Sequence, residues 1–205
     1  MKTTIALVVA AGMAAIASAD IRITEWMYSA DDGGEFIEFT NVGNVAIDMT
    51  GWSFDDDSRT AGTVSLSDFG IVAPGESVIL SENPAATFAT AWSLDSSVKI
   101  IGGNAANLGR NDEINLYNAS STLVDRLTFG DQNIPGTIRT QNISGNALPA
   151  DLGTNNAGAW FFSAPGDVFG SYFGAAGSFG NPGSYVPAPG AVALVGLAAL
   201  GRRRR

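Results

Sequence analysis

The chain of 205 residues contains no cysteine and no histidine. Without cysteine no disulfide can form, so an apolar core has to stabilise the folded state. Without either residue, serine-histidine and cysteine-histidine catalysis are excluded, and the commonest protein ligand for zinc and iron is missing. Any chemistry would have to come from carboxylates and hydroxyls.

Basic residues are scarce away from the two ends of the chain. Five of the eleven, Lys2 and the four arginines at 202–205, lie in the terminal segments, which leaves six basic and 20 acidic residues and a net charge of −14 between them. Such a surface repels phosphate backbones and anionic lipid. We therefore expect no nucleic-acid partner.

The first 19 residues have the order of a secretory signal peptide. Lys2 gives a positive start, residues 5–16 are apolar, and three small residues precede Asp20. This order predicts export with cleavage between Ala19 and Asp20. The alternative is an uncleaved anchor helix, but the apolar stretch is short for the roughly 20 residues that a membrane span needs.

Beyond Asp20, short apolar runs are separated by Gly, Asn, Asp and Pro, which is typical of an all-β sandwich. About 165 residues suffice for one domain with a sizeable core. The predicted strands are residues 21–27, 35–41, 46–54, 63–67, 77–81, 98–101, 114–118 and 123–129. Residues 84–90 are expected to form one short helical turn or a loop.

A closing segment rich in Gly, Asn and aromatic residues begins at about residue 130. Long loops without structure are uncommon in compact domains, so part of it should pack. Residues 160–162 are the expected packed part. Residues 169–185 could be either a flexible surface stalk or a covering layer over the sandwich.

Residues 35–41 and 48–54 predict a hairpin at the centre of the fold. Alternation along the first strand puts its apolar side chains on one face and Glu38 and Thr40 on the other, which suits a sheet with one wet side. Trp52 is the expected core anchor of the second strand. The predicted core set is Ile37, Phe39, Trp52 and Phe54.

Three acidic residues, Asp55, Asp56 and Asp57, directly follow this hairpin. Oxygen-rich loops at one end of a sandwich can bind calcium, although the spacing matches no EF-hand loop. A solvated acidic turn is the alternative. No other cofactor is predicted.

The remaining carboxylates do not indicate an active site. Glu35 and Glu38 are three apart on a strand and so point to opposite faces, which excludes a glycosidase pair. Glu25 follows apolar residues on one strand face and is expected to be partly buried, with Arg126 or Arg139 as its partner.

The order and spacing of these pieces resemble the lamin tail domain, an immunoglobulin-like β-sandwich that also occurs in bacterial exported proteins. The resemblance covers residues 20–183 and implies a structural or interaction module without a shared active site. The matching pieces are residues 21–25, 35–41, 48–52, 73–80, 111–117 and 124–129, with a looser match in 137–139, 159–160 and 163–166.

Residues 186–205 resemble the PEP-CTERM sorting signal of bacterial exported proteins. Pro187 and Pro189 precede the apolar residues 191–200, and Ala188 stands where that family usually has Glu. The chain then ends in Arg202, Arg203, Arg204 and Arg205. The resemblance implies transient anchoring by a short apolar helix and removal by a membrane protease of the exosortase type. A permanent, mismatched anchor is the alternative.

These features together predict an exported, non-enzymatic bacterial protein of the cell surface, outer membrane or extracellular matrix, with a structural or adhesive role. Its expected partners are surface polysaccharide or other surface proteins, besides the export and sorting machinery. The first alternative is a calcium-dependent module that binds carbohydrate or protein. A hydrolase built from carboxylates and hydroxyls is the second.

Overall fold

The computed structural model describes residues 20–186. The predicted signal peptide at 1–19 and all but the first residue of the sorting segment at 186–205 lie outside the described residues. Within the described part, no helix has the length and apolar character needed to cross a membrane.

Residues 20–186 form fourteen strands, one α-helix and two short 3-10 helices. The α-helix is α1 (Ala85–Ala91), and the 3-10 helices are Ser67–Phe69 and Ala157–Ala159. The strands are β1 (Ile21–Met27), β2 (Phe36–Asn41), β3 (Ile47–Asp48), β4 (Ser53–Asp55), β5 (Val64–Ser65), β6 (Ile71–Val72), β7 (Ser77–Ser81), β8 (Lys99–Gly102), β9 (Asn111–Tyr117), β10 (Leu123–Gly130), β11 (Gly145–Asn146), β12 (Phe161–Phe162), β13 (Tyr172–Phe173) and β14 (Phe179–Gly180).

The strands build two main sheets and two small ribbons. The large sheet has the order β12-β11-β1-β2-β7-β8, and the small sheet has the order β10-β9-β4-β5. Only β7 and β8 run parallel among these neighbours. The ribbons pair β13 with β14 and β3 with β6. The expected all-β, immunoglobulin-like sandwich is confirmed.

The main core lies between the two sheets because alternate residues of β1, β2, β4, β9 and β10 point inward. Trp26 is fully buried there, with its ring 5.2 Å from that of Phe129 and 4.9 Å from that of Trp160. Of the predicted core set, Ile37, Phe39 and Phe54 lie in this layer.

The opposite face of the large sheet, which we call the outer face, is not exposed to solvent where α1 and the end of the described chain cover it. Near one end, Phe88 of α1 and Trp92, which directly follows this helix, pack against Phe36 and Ile79. Further along, Glu38 and Thr40 are buried beneath the last described residues of the chain. The expectation of a solvated face is therefore wrong, because both halves of this face are covered by later segments.

The predicted central hairpin is also wrong. β2 pairs with β1 and β7, whereas β4 pairs with β5 and β9 in the other sheet. The predicted strand at 46–54 divides at a turn in which Gly51 has a positive φ of 79° and Trp52 N–H donates to the Met49 carbonyl. Trp52 is consequently only partly buried at the margin of the core, so it is not the anchor.

The closing segment from residue 130 packs as a covering layer. Trp160 is buried, while Phe161 and Phe162 form an edge strand and are each about half exposed. Phe169, Phe179 and Tyr185 are buried as well. Of the two readings of residues 169–185, the flexible stalk is wrong.

Candidate functional site

The three acidic residues after β4 do not converge on a common point. Asp55 is buried, and its Oδ2 accepts hydrogen bonds from Thr60 N–H at 2.5 Å and Ser58 Oγ at 2.8 Å. Asp56 accepts from Ser58 N–H at 3.0 Å, and Asp57 is exposed. Within residues 20–186, no group of three or more acidic side chains is placed to hold a metal ion. The hydrogen bonds of the turn involve Asp56 and only one oxygen of Asp55, whose Oδ1 is buried with no hydrogen-bond partner among the described residues.

Glu113 on β9 carries the best-formed ion pair near this turn. Both of its carboxylate oxygens accept from Arg59, at 2.8 and 2.6 Å. The hydrogen bond from the Arg59 guanidinium lowers the pKa of Glu113 to about 2. This pair fastens the turn to the small sheet.

Glu35 precedes β2 and is buried, and no ion pair to it is found within residues 20–186. Its carboxylate accepts from Leu108 N–H at 2.5 Å and from Asn104 Nδ2 at 3.3 Å. Burial raises its pKa from the ordinary value of 4.5 to about 8. The Glu35 carboxylate therefore links the start of β2 to the loop that precedes β9.

Glu25 is fully buried, but the expected arginine partners lie elsewhere. Arg126 donates to Asn115, and Arg139 donates to Tyr28. The register of β1 against β2 shifts between Ile23 and Glu25. This bulge turns Glu25 to the outer face, which alternation alone could not reveal.

A cleft of about 600 Å³ lies at one end of the large sheet. Ligand sites in proteins commonly have volumes of this order. The lining includes Asp20, Arg22, Val42, Pro149, Leu152 and Tyr185. Asp20 and Tyr185 bring the first and nearly the last described residues to the same site.

Hydrogen bonds and an ion pair fix the walls of the cleft. Arg22 pairs with Asp20 at 2.7 Å and donates to the Val124 carbonyl at 3.1 Å. Val42 N–H donates to the Asp20 carbonyl at 2.8 Å, and Tyr185 donates its hydroxyl to the Ala147 carbonyl at 3.1 Å. The cleft thus combines apolar walls with one ion pair, an arrangement suited to binding.

Sequence reasoning missed the cleft because its residues come from distant segments without a local motif. It singled out Asp20 only as a cleavage site. The other processing residues, Ala19, Pro187, Pro189 and Arg202 to Arg205, lie outside the described residues.

A family model described as Lamin Tail Domain matches residues 14–131, which is more than half of the chain. Strands β11 to β14 and the residues after them lie beyond the matched part. A search of curated proteins found no match. On the family match and the observed sandwich, the chain belongs to the lamin tail domain family.

Proposed function

We propose that this protein is an exported, non-enzymatic interaction module of the bacterial cell surface or extracellular matrix, and that it binds surface polysaccharide through the cleft. The cleft is the observation that carries the proposal. Its aliphatic walls suit the C–H faces of sugars, and its ion pair suits their hydroxyls.

The charge of the domain narrows the ligand class. The body of the chain has a net charge of −14, so it repels polyanions at long range. A neutral polysaccharide is therefore favoured over an acidic one. Another surface protein is the competing partner.

The placement of the carboxylates favours binding over catalysis. Glu25, Glu35 and Glu38 have raised pKa values because they are buried, and none of them lines the cleft. Each accepts at least one hydrogen bond from a backbone N–H of the chain. These contacts give the three groups structural roles.

We also propose that the protein is exported and sorted by its two terminal segments. The N-terminal pattern favours cleavage before Asp20, and the C-terminal resemblance favours transient membrane anchoring followed by removal of Arg202 to Arg205. Asp20 and Tyr185, close to the two ends of the described chain, both line the cleft.

Titration calorimetry with polysaccharide extracted from the producing cells tests the proposed binding. Val42 is 38% exposed and lines the cleft. Val42→Glu should weaken binding about tenfold or more, because it places an unpaired charge in the site. Val168→Glu adds the same charge at a residue that is 50% exposed and outside the cleft, and it should bind as the wild type does.

Three outcomes of this titration would overturn the cleft proposal: no binding by the wild type, unchanged binding by Val42→Glu, or equal weakening by both variants. The same titration with calcium and with a chelator separates the competing readings. Binding should be indifferent to calcium, whereas a strict calcium requirement would favour the calcium-dependent module.

A further inference from the structure

Residues 178–186, which we call the strap, lie across a polar part of the outer face. The strap is the last described part of the chain and leads into residue 187. Ser178, Asn181 and Tyr185 of the strap are buried. The buried polar side chains beneath and beside it are Thr24, Thr40, Ser77, Ser144, Asn146 and Ser163.

Two carboxylates lie at the centre of this polar layer. Glu25 and Glu38 are direct cross-strand partners in the register of β1 and β2, and both are fully buried. Residues paired in this way place their side chains on the same face, with Cβ atoms about 5 Å apart. Two acidic groups therefore share one dry layer.

The strap is held to both carboxylates through its backbone. Asn181 N–H donates to Glu25 Oε1 at 2.8 Å, and Gly183 N–H donates to Glu38 Oε2 at 2.8 Å. Tyr185 N–H adds a bond to Ser77 Oγ at 3.2 Å. Gly180 fits closely here, since a Cβ on it would lie 2.7 Å from Glu25 Oε1.

Hydroxyl donors complete the bonding from the sheet side. Thr24 donates to Glu38 Oε1 at 2.7 Å, and Thr40 donates to the same oxygen at 3.3 Å. Ser144 donates to Glu25 Oε1. Glu25 Oε2 is buried and has no hydrogen-bond partner among the described residues, and leaving this oxygen unpaired costs more for an ionised carboxylate than for a neutral carboxyl.

Within residues 20–186, the strongest charges that act on Glu25 are negative. Besides Glu38, the charge of Asp167 also disfavours ionised Glu25. Tyr172 and Tyr185 face the pair as well, and burial raises the pKa of each to about 12, so both stay neutral. The side chains that bond the two carboxylates are hydroxyls.

We propose that Glu25 and Glu38 form a proton-dependent latch, which holds the strap closed while Glu25 is protonated and releases it when both carboxylates are ionised. In the closed state Gly183 N–H bonds Glu38, which carries at most one negative charge, and Asn181 N–H bonds the neutral Glu25. Loss of the Glu25 proton to water leaves two like charges in one dry layer, and lifting the strap lets water reach them.

Release of the strap would change both the length of the chain after residue 177 and the shape of the cleft. The nine residues of the strap could extend by up to about 30 Å. Opening would also remove Tyr185 from the cleft wall. The latch stands on the contacts of the strap and does not depend on what the cleft binds.

The direction of the pH effect follows from the buried state of the pair. Burial raises the pKa of Glu25 well above its ordinary value, and the charge of Glu38 raises it further. Burial also raises the pKa of Glu38. The stabilisation of the closed strap is therefore fully present below the ordinary carboxyl pKa of about 4.5. It is lost as pH rises through the folded-state pKa of Glu25.

Hydrogen exchange of the full chain between pH 5 and pH 9, normalised for intrinsic exchange rates, tests the latch. The Asn181, Gly183 and Tyr185 amides should lose protection by about tenfold per pH unit above the pKa of the pair, since opening releases one proton. The amides of β9 and β10 should stay protected and report that the sandwich is folded.

Glu25→Gln and Glu38→Gln each remove one ionisable group while keeping the shape of the side chain. Either variant should keep the strap protected at pH 9. Glu35→Gln makes the same substitution at a buried carboxyl that does not bond the strap, and it should respond to pH as the wild type does.

A wild-type strap equally protected across this pH range would overturn the latch, even if neither variant at the pair folds. The same holds if Glu25→Gln and Glu38→Gln lose strap protection in parallel with the wild type. Loss of protection in β9 and β10 at the same pH as the strap would mean global unfolding, which also contradicts the latch.

Discussion

Trp26 and Trp52 both lie in strands predicted from the sequence, but their side chains differ in burial. Trp26, on β1, is fully enclosed between the sheets, whereas Trp52 follows the turn at Gly51 and stays partly exposed. Alternation located Ile37 and Phe39 correctly because β2 is regular. It failed at Trp52 because a positive φ at Gly51 breaks the period of two.

Trp26→Ala should lower the free energy of unfolding by about 3 to 5 kcal/mol, as expected for truncating a buried aromatic residue. Trp52→Ala should have less than half that effect, because its side chain is partly in water already. Denaturant unfolding measures both. A larger loss for Trp52→Ala would contradict this ranking.

Glu35 should make the domain less stable in mild alkali. Its folded-state pKa is about 8 against an ordinary 4.5, so its contribution is fully present below pH 4.5 and is lost as pH rises through about 8. Glu35→Gln should flatten this part of the pH dependence of unfolding. An unchanged slope in the variant would assign the pH dependence to other groups.

Strand pairing shows what the sequence could and could not predict about the elements. β1, β2, β7, β9 and β10 were predictable because alternating apolar residues are bounded by turn residues. Their partners were not, since β2 and β4 are close in sequence yet belong to different sheets. The bulge that turns Glu25 outward is likewise set by pairing and not by local sequence.

Gly145 on β11 permits the close approach of this strand to Trp26. A Cβ at Gly145 would lie 2.4 Å from the Trp26 ring, whereas one at Gly158 would meet nothing closer than 3.3 Å. Gly145→Ala should therefore destabilise the domain by about 1 to 3 kcal/mol, as overpacking does. Gly158→Ala is the matched control and should cost less. Equal effects in thermal unfolding would argue against tight packing at β11.

At the scale of the whole molecule, the closing segment is part of the domain. Residues 132–186 lie beyond the family match, yet they supply Trp160 to the core, β11 and β12 to the large sheet, and the strap to its outer face. Their Gly- and Asn-rich composition gave little sign of this, because burial here depends on backbone hydrogen bonds more than on apolar periodicity. The cleft was hidden for a related reason, since Asp20, Val42 and Tyr185 meet only in the folded chain.

Mass spectrometry of protein extracted from the cell surface tests the proposed export and the proposed processing at both ends most directly. Intact mass and peptide mapping should give a mature chain that begins at Asp20 and lacks Arg202 to Arg205. Recovery of the chain from the cytoplasm with Met1 and Arg205 both in place would contradict the account.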